Sequence, residues 1–124
     1  IDLSSAAVAL AARRFPALTW VVANADRHLP VLDASVSLAL SIHARRNPAE
    51  CHRILIPGGL LVVAIPAPDD LIELREAVQG SGLERDRVEA LIADHASHFR
   101  VVERSRVHET AACDHDAIVD LLQG

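Results

Sequence analysis

Aromatic side chains are almost absent from this sequence of 124 residues, which contains only Phe15, Trp20 and Phe99. A packed core must therefore come from Val, Ile, Leu and Ala, and the chain is long enough to build one modest domain around such a core. Long apolar segments are also missing. The clearest apolar run, residues 60–65, is strand-sized, whereas a membrane-spanning helix needs roughly 18 such residues.

Cysteine is scarce as well. The two cysteines, Cys51 and Cys113, stand far apart without a CxxC pattern, which favours reduced thiols over a disulfide. No basic segment followed by an apolar one opens the chain, so no secretory signal is predicted. Together these features predict a cytoplasmic location.

The net charge of −5 argues against a surface that binds nucleic acid through bulk electrostatics. It leaves room for an enzyme that meets RNA through one local patch. Lysine is absent, so all twelve basic residues are arginine.

Predicted strands and helices alternate, which indicates an α/β fold with parallel strands and a final antiparallel hairpin. Ser4 or Ser5 is placed to cap the first helix, and Pro48 to begin the second. Helices are predicted over residues 6–14, 49–55, 71–78, 84–95 and 114–122. Strands are predicted over residues 18–23, 35–42 and 60–65, with the hairpin at 99–103 and 105–110.

The stretch RILIPGGLLVVAIP is the most distinctive feature of the chain. Here Pro57-Gly58-Gly59 is predicted to turn the end of a helix into the buried strand at 60–65. In open α/β sheets, ligands collect at the opposite, carboxyl ends of the strands. The loops that follow the strands, 24–26, 42–45 and 66–68, are therefore the candidate site.

Three blocks of the sequence resemble class I S-adenosylmethionine-dependent methyltransferases, in the order and spacing of that family. They are IDLSSAAVALAARRFP, VVANADRHLPVLDASVSLAL and LIPGGLLVVAIP following ECHRIL. Within the family, LSIHARRNPAECHRILIPGG, PAPDDLIELRE and the tail most resemble the bacterial large-subunit ribosomal RNA guanine-N1 methyltransferases, the tylosin-resistance type. The resemblance implies a Rossmann-like class I methyltransferase sheet, here a single partial domain over residues 1–124.

The resemblance also implies a cofactor site for S-adenosyl-L-methionine. Asp2 would accept hydrogen bonds from the two ribose hydroxyls, and Leu3 would pack against the adenine ring. Asn24, with Asp26 as its rival, would accept from the adenine amino group, and the Ala25 peptide N–H would donate to a ring nitrogen. Ile42 completes the predicted cofactor contacts.

The methyl acceptor would lie beside the loop after the strand at 35–42. An imidazole titrates near neutral pH, so His43 is the predicted catalytic group that orients or deprotonates guanine N1. Ala44 and Arg45 are the predicted substrate contacts, and Arg45 and Arg46 would reach RNA phosphates. An ordinary surface loop remains the alternative for these residues. The other histidines show no metal-ligand spacing, so no metal site is predicted.

Several family features are not present in these 124 residues. Asp70 stands where the ribosomal RNA enzymes usually have a histidine, and neither the glycine-rich cofactor loop nor the cysteine-rich zinc module is found. The sequence therefore reads as the C-terminal part of the domain, incomplete at its N-terminus, with a gap in the middle of the sheet.

Three functions stay open at this point. They are methylation of ribosomal RNA at guanine N1, methylation of a small molecule by the same fold, and a non-catalytic interaction module. The predicted gap also leaves open that the chain pairs or exchanges strands with a second copy, giving a homodimer.

Overall fold

A computed structural model describes residues 1–80, 86–110, 112, 114 and 116–119. Most of the predicted helices and strands are present, and residues 116–119 are also helical. The predicted positions 84, 85, 115 and 120–122 lie outside the described residues. The named elements are α1 (Ser5–Arg14), β1 (Val36–Ile42), α2 (Pro48–Ile54), β2 (Leu55–Ala64), α3 (Ile72–Gln79) and α4 (Val88–His95).

The strands β1 and β2 form a two-stranded parallel sheet, with Leu38 opposite Leu60 and Ile42 opposite Ala64. Helix α2 makes the connection between them, as parallel pairing requires a crossover. The α/β class and the parallel pairing agree with the prediction. The carboxyl ends of both strands consequently lie side by side.

Local capping chemistry explains where the first two helices begin. The Ser4 hydroxyl accepts a hydrogen bond from the Ala7 N–H at 3.2 Å, which caps α1. The Asn47 side chain accepts from the Ala49 and Glu50 N–H groups and caps α2, whose first residue is Pro48.

The Pro-Gly-Gly segment lies inside β2, not in front of it, which corrects the predicted boundary. The strand already begins at Leu55, opposite Val36, and the next paired residues are Leu38 and Leu60. Since two positions of β1 span five positions of β2, the segment forms an irregularity that bulges out of the ladder. Gly58 supports it with a φ of 78°, a conformation that side chains rarely adopt.

The predicted strand at 18–23 is reduced to one parallel bridge between Val22 and Asp2. Two backbone hydrogen bonds support it, from Asp2 N–H to Val21 O at 3.1 Å and from Ala23 N–H to Asp2 O at 3.0 Å. No strand pairing joins this bridge to β1 or β2 among the residues the structure describes.

The predicted C-terminal hairpin was wrong, because residues 99–110 carry no strand pairing. Val101, Val102 and Val107 are 57–79% exposed, so these segments bury little apolar surface. An isolated hairpin is only marginally stable in water, and here neither segment pairs with the sheet.

One face of the sheet is open. Leu38, Leu40 and Ile42 point to the same side as their partners on β2, and these three side chains are 51–63% exposed. The opposite face is better covered, since Ser41 is 9% exposed and the core residues Cys51 and Ile54 of α2 are 6% exposed. Among the residues that the structure describes, the packed core therefore lies on the α2 side of the sheet.

A group of rings lies between α2 and the end of α4. His52 of α2 lies 5.4 Å from His98 and 5.9 Å from Phe99, between ring centroids. His95, which is 7% exposed, lies 6.1 Å from Phe99. These contacts link α2 to the segment that follows α4. In the part of the chain that the structure describes, none of the helices has the length and apolar character to cross a membrane.

The bulge gives a prediction for two neighbouring glycines. A methyl group at position 59 would lie 3.0 Å from Ile56 O and 3.2 Å from Ser37 O, whereas nothing lies within 4 Å at position 58. We expect Gly59→Ala to lower the free energy of unfolding by about 1–3 kcal/mol through overpacking. Gly58→Asn should cost less, because asparagine tolerates positive φ. Urea denaturation compares the two, and the reverse ranking would contradict the assigned bulge.

Candidate functional site

A cleft opens at the carboxyl ends of β1 and β2. Its volume is about 630 Å³. Both strands contribute the residues that follow them, and α4 closes the opposite wall. The lining residues are Asp26, residues 43–46, Ile65, Pro66, Arg87, Ala90, Leu91 and Asp94. The position agrees with the rule that ligands of open parallel sheets bind beyond the strand ends.

His43 lies where β1 turns into this cleft. Its N–H donates to Ala64 O at 2.9 Å, which continues the ladder of hydrogen bonds beyond Ile42. The φ angle of His43 is 49°, an uncommon conformation for a residue other than glycine. The side chain is exposed, and neither ring nitrogen is hydrogen-bonded to a described residue. An imidazole held in this way is free to contact a molecule in the cleft.

Residues 24–26 form a turn beside the same cleft. The Asn24 side-chain oxygen accepts from the Asp26 N–H at 2.9 Å, an arrangement typical of asparagine in turns. This bond uses one of the two lone pairs of the amide oxygen that the resemblance assigned to the adenine amino group. The Ala25 N–H, in contrast, has no hydrogen bond to a described residue and remains available as a donor.

The turn is tied to the loop that follows β1. The Asn47 N–H donates to Ala25 O at 3.1 Å, and the Asn47 side-chain amide donates to Asp26 O at 3.4 Å. Arg45 forms an ion pair with Asp26 at 3.2 Å. These links bring Asp26 together with His43, Ala44 and Arg45. Asn47 is a connecting residue that sequence reasoning missed. Its position before a proline indicated only its role as a helix cap.

Asp2 and Leu3 lie outside the lining of the cleft. One Asp2 carboxylate oxygen accepts from the Ser4 N–H at 2.7 Å, at the start of α1. The Asp2 side chain is nevertheless exposed, and Leu3 is 69% exposed. Ile42, the last predicted cofactor contact, is 63% exposed on the open face of the sheet. The structure therefore groups the predicted substrate residues more closely than the predicted cofactor residues.

Arg53 holds the segment between the turn and β1 against α2. Its guanidinium donates to Leu29 O, Val31 O and the carboxylates of Glu50 and Asp33. Glu50 also accepts from the Leu29 N–H at 2.8 Å. These bonds fix where the chain enters β1 and hence where the turn 24–26 stands. Sequence reasoning noted the arginine only as part of a family pattern.

This network changes the protonation of Glu50. Hydrogen bonds from Arg53, and then from the Leu29 N–H, lower the pKa of Glu50 from 4.5 to about 2. The pKa of Arg53 rises in turn, chiefly through its hydrogen bonds with Glu50 and Asp33. Cys51 beside them is buried in α2, and desolvation raises the pKa of its thiol.

No family model matches the chain. Individual proteins do. The chain is 41% identical over 119 residues, 95% of its length, to the 23S rRNA (guanine(748)-N(1))-methyltransferase of Streptomyces fradiae, of which it covers 42%. Two further relatives carry the provisional name 23S rRNA (guanine-N(1)-)-methyltransferase. The relative from Bacillus subtilis is 35% identical over 99% of the chain, and the chain covers 44% of its length. The relative from Micromonospora griseorubida is 32% identical over 87% of the chain, and the chain covers 33% of its length.

These comparisons confirm the family resemblance seen in the sequence. They also show that the chain spans less than half the length of the curated relatives it matches. The similarity extends over almost the whole chain, so it includes the strands, the bulge and the loops around the cleft.

The Glu50 network gives a prediction about pH. A carboxylate whose pKa is depressed on folding adds stability above its unfolded value of 4.5, and this contribution is lost as the pH falls from 4.5 towards 2. We therefore expect the stability advantage of the wild type over Glu50→Gln to shrink across that interval. Thermal unfolding at a series of pH values measures it.

The matched control is Glu73→Gln, which removes an exposed carboxylate in the first turn of α3. Its difference from the wild type should vary less over the same interval. If the two variants show the same pH dependence, Glu50 does not hold the segment before β1 in the way described.

Proposed function

We propose that the protein containing this chain, a homologue of the bacterial 23S rRNA guanine-N1 methyltransferases, transfers a methyl group from S-adenosylmethionine to N1 of a guanine in ribosomal RNA. The observation that carries this proposal is the similarity along nearly the whole chain. The cleft supports it, because an unbonded imidazole and several arginines meet at the carboxyl ends of parallel strands.

The residues present fit part of a nucleoside cofactor. The Asp2 carboxylate is exposed beside the apolar Leu3 side chain, a pairing suited to ribose hydroxyls and an adenine face. The free Ala25 N–H suits an adenine ring nitrogen. When bound, S-adenosylmethionine supplies a methyl group attached to a sulfonium centre, and the leaving group is a neutral thioether.

The contribution of this chain is alignment and proton transfer. Holding the acceptor base in line with the methyl group removes much of the entropic cost of a reaction between two molecules. As the bond from N1 to the methyl carbon forms, N1 must lose its proton. We assign the acceptance of this proton to His43, at the turn after β1. Its ring nitrogens have no hydrogen-bond partner among the described residues. Ala44 and Arg45 would contact the acceptor strand.

Asn24 has a supporting role in this proposal. Because its side chain holds the Asp26 N–H, it shapes the turn that presents Ala25. The second lone pair of the Asn24 amide oxygen would accept from the adenine amino group. Asp26, the rival named from the sequence, is paired with Arg45.

The direct test of the proposed reaction is transfer of tritiated methyl groups by the full-length protein. We expect label in 23S rRNA and in none of a pool of small-molecule methyl acceptors. His43→Ala should lower kcat by about 10²- to 10⁴-fold, the usual contribution of a general base, with the Michaelis constant for the cofactor nearly unchanged. Label in small molecules alone would overturn the RNA assignment.

The cofactor assignment is tested at Asp2. Asp2→Ala should weaken binding of S-adenosylmethionine by about 1–3 kcal/mol, because the ribose hydroxyls lose a charged acceptor. Isothermal titration calorimetry measures this. Ser4→Ala removes the cap of α1 at the same place in the chain and should leave the affinity unchanged. Equal affinities for Asp2→Ala and Ser4→Ala would remove Asp2 from the cofactor site.

A further inference from the structure

Three arginines from two separate segments line the cleft: Arg45 and Arg46 follow β1, and Arg87 immediately precedes α4. The chain as a whole carries a net charge of −5, so a cleft lined by three guanidinium groups differs from the average surface. Such a local excess of positive charge indicates an anionic ligand.

The three arginines differ in how far neighbouring carboxylates neutralise their charge. Arg45 is paired with Asp26 at 3.2 Å. Arg46 donates to the Ser41 hydroxyl and to Ala44 O, both at 3.0 Å, and these are neutral acceptors that leave its charge uncompensated. Arg87 has no hydrogen bond or ion pair from its side chain to any described residue.

The carboxylates nearest to Arg87 along the chain are engaged elsewhere. Asp86 accepts from the Val88 N–H at 2.9 Å, and Glu89 pairs with Arg104 at 3.1 Å. The remaining acid of the cleft, Asp94, has an oxygen 3.5 Å from the ring of His95. The exposed Arg87 side chain is therefore the least compensated charge on the α4 wall of the cleft.

We propose that Arg87, together with Arg46, binds the phosphodiester backbone of the RNA strand next to the target guanine. This inference rests on the proposed function and adds a contact on the α4 wall, opposite His43. A guanidinium matches the geometry of a phosphate with two parallel hydrogen bonds. Contacts from both walls would hold the strand across the mouth of the cleft, with one base directed towards His43.

The test is the affinity of the full-length protein for a 23S rRNA transcript, measured by filter binding at several KCl concentrations. Arg87→Ala should weaken binding about fivefold at low salt, the size of one exposed charge contact. It should also reduce the slope of log affinity against log salt by about 0.7, because one phosphate contact is lost. Arg87→Lys should restore part of both.

The matched control is Arg13→Ala, which removes the same charge from the last turn of α1, away from the cleft lining. The affinity for S-adenosylmethionine should be the same in the wild type and in all three variants. If Arg87→Ala behaves like Arg13→Ala in a protein that methylates RNA, the inference is overturned and the proposed function stands. If the wild type methylates no RNA, the proposed function itself fails.

Discussion

The parallel pairing of β1 with β2 is the interaction on which the rest of this structure depends. Parallel strands run in the same direction, so their carboxyl ends must lie side by side, and the loops after both strands open into one cleft. Helix α2 makes the crossover and supplies the buried side of the core. The segment before β1 is held to that helix by Arg53 and Glu50, and the turn 24–26 is held to the next loop by Asn47.

The open face of the sheet is the second constraint. Apolar side chains of β1 and β2 remain about half exposed there, while the α2 side is packed. The bridge between Asp2 and Val22 stands apart from the main sheet, without strand pairing to it in the described residues. Apolar surface of this extent is unfavourable in water and usually marks a contact surface. Pairing with a second copy stays a prediction.

Periodicity and capping predicted the parts of the fold that depend on local chemistry. The cap at Ser4, the start of α2 at Pro48 and the strand β1 follow from side chains close in sequence. The hairpin at 99–110 failed because its valines have no described surface to bury against, and alternation in the sequence cannot supply one. The Pro57-Gly58-Gly59 turn was predicted in front of the strand, whereas strand pairing occurs on both sides of it.

The site was predictable to a similar degree. Because they follow β1, His43, Ala44 and Arg45 line one cleft, and their functional roles stay predictions. Links between distant segments, such as the bonds from Asn47 to the turn, depend on tertiary structure and leave no local signal. Arg87 likewise reaches the cleft only through tertiary structure. It immediately precedes α4, more than forty residues after the loop that follows β1.

We propose that the cofactor binds between residues 2–3, the turn 24–26 and the loop 42–45, at the carboxyl ends of β1 and β2. Hydrogen–deuterium exchange of the full-length protein, with and without S-adenosylhomocysteine, tests this most directly. We expect slower exchange on ligand binding at residues 2–3, 24–26 and 42–45, with no change at the bulge around residues 57–59. Protection centred on the bulge at saturating ligand, with none at the loops, would contradict it.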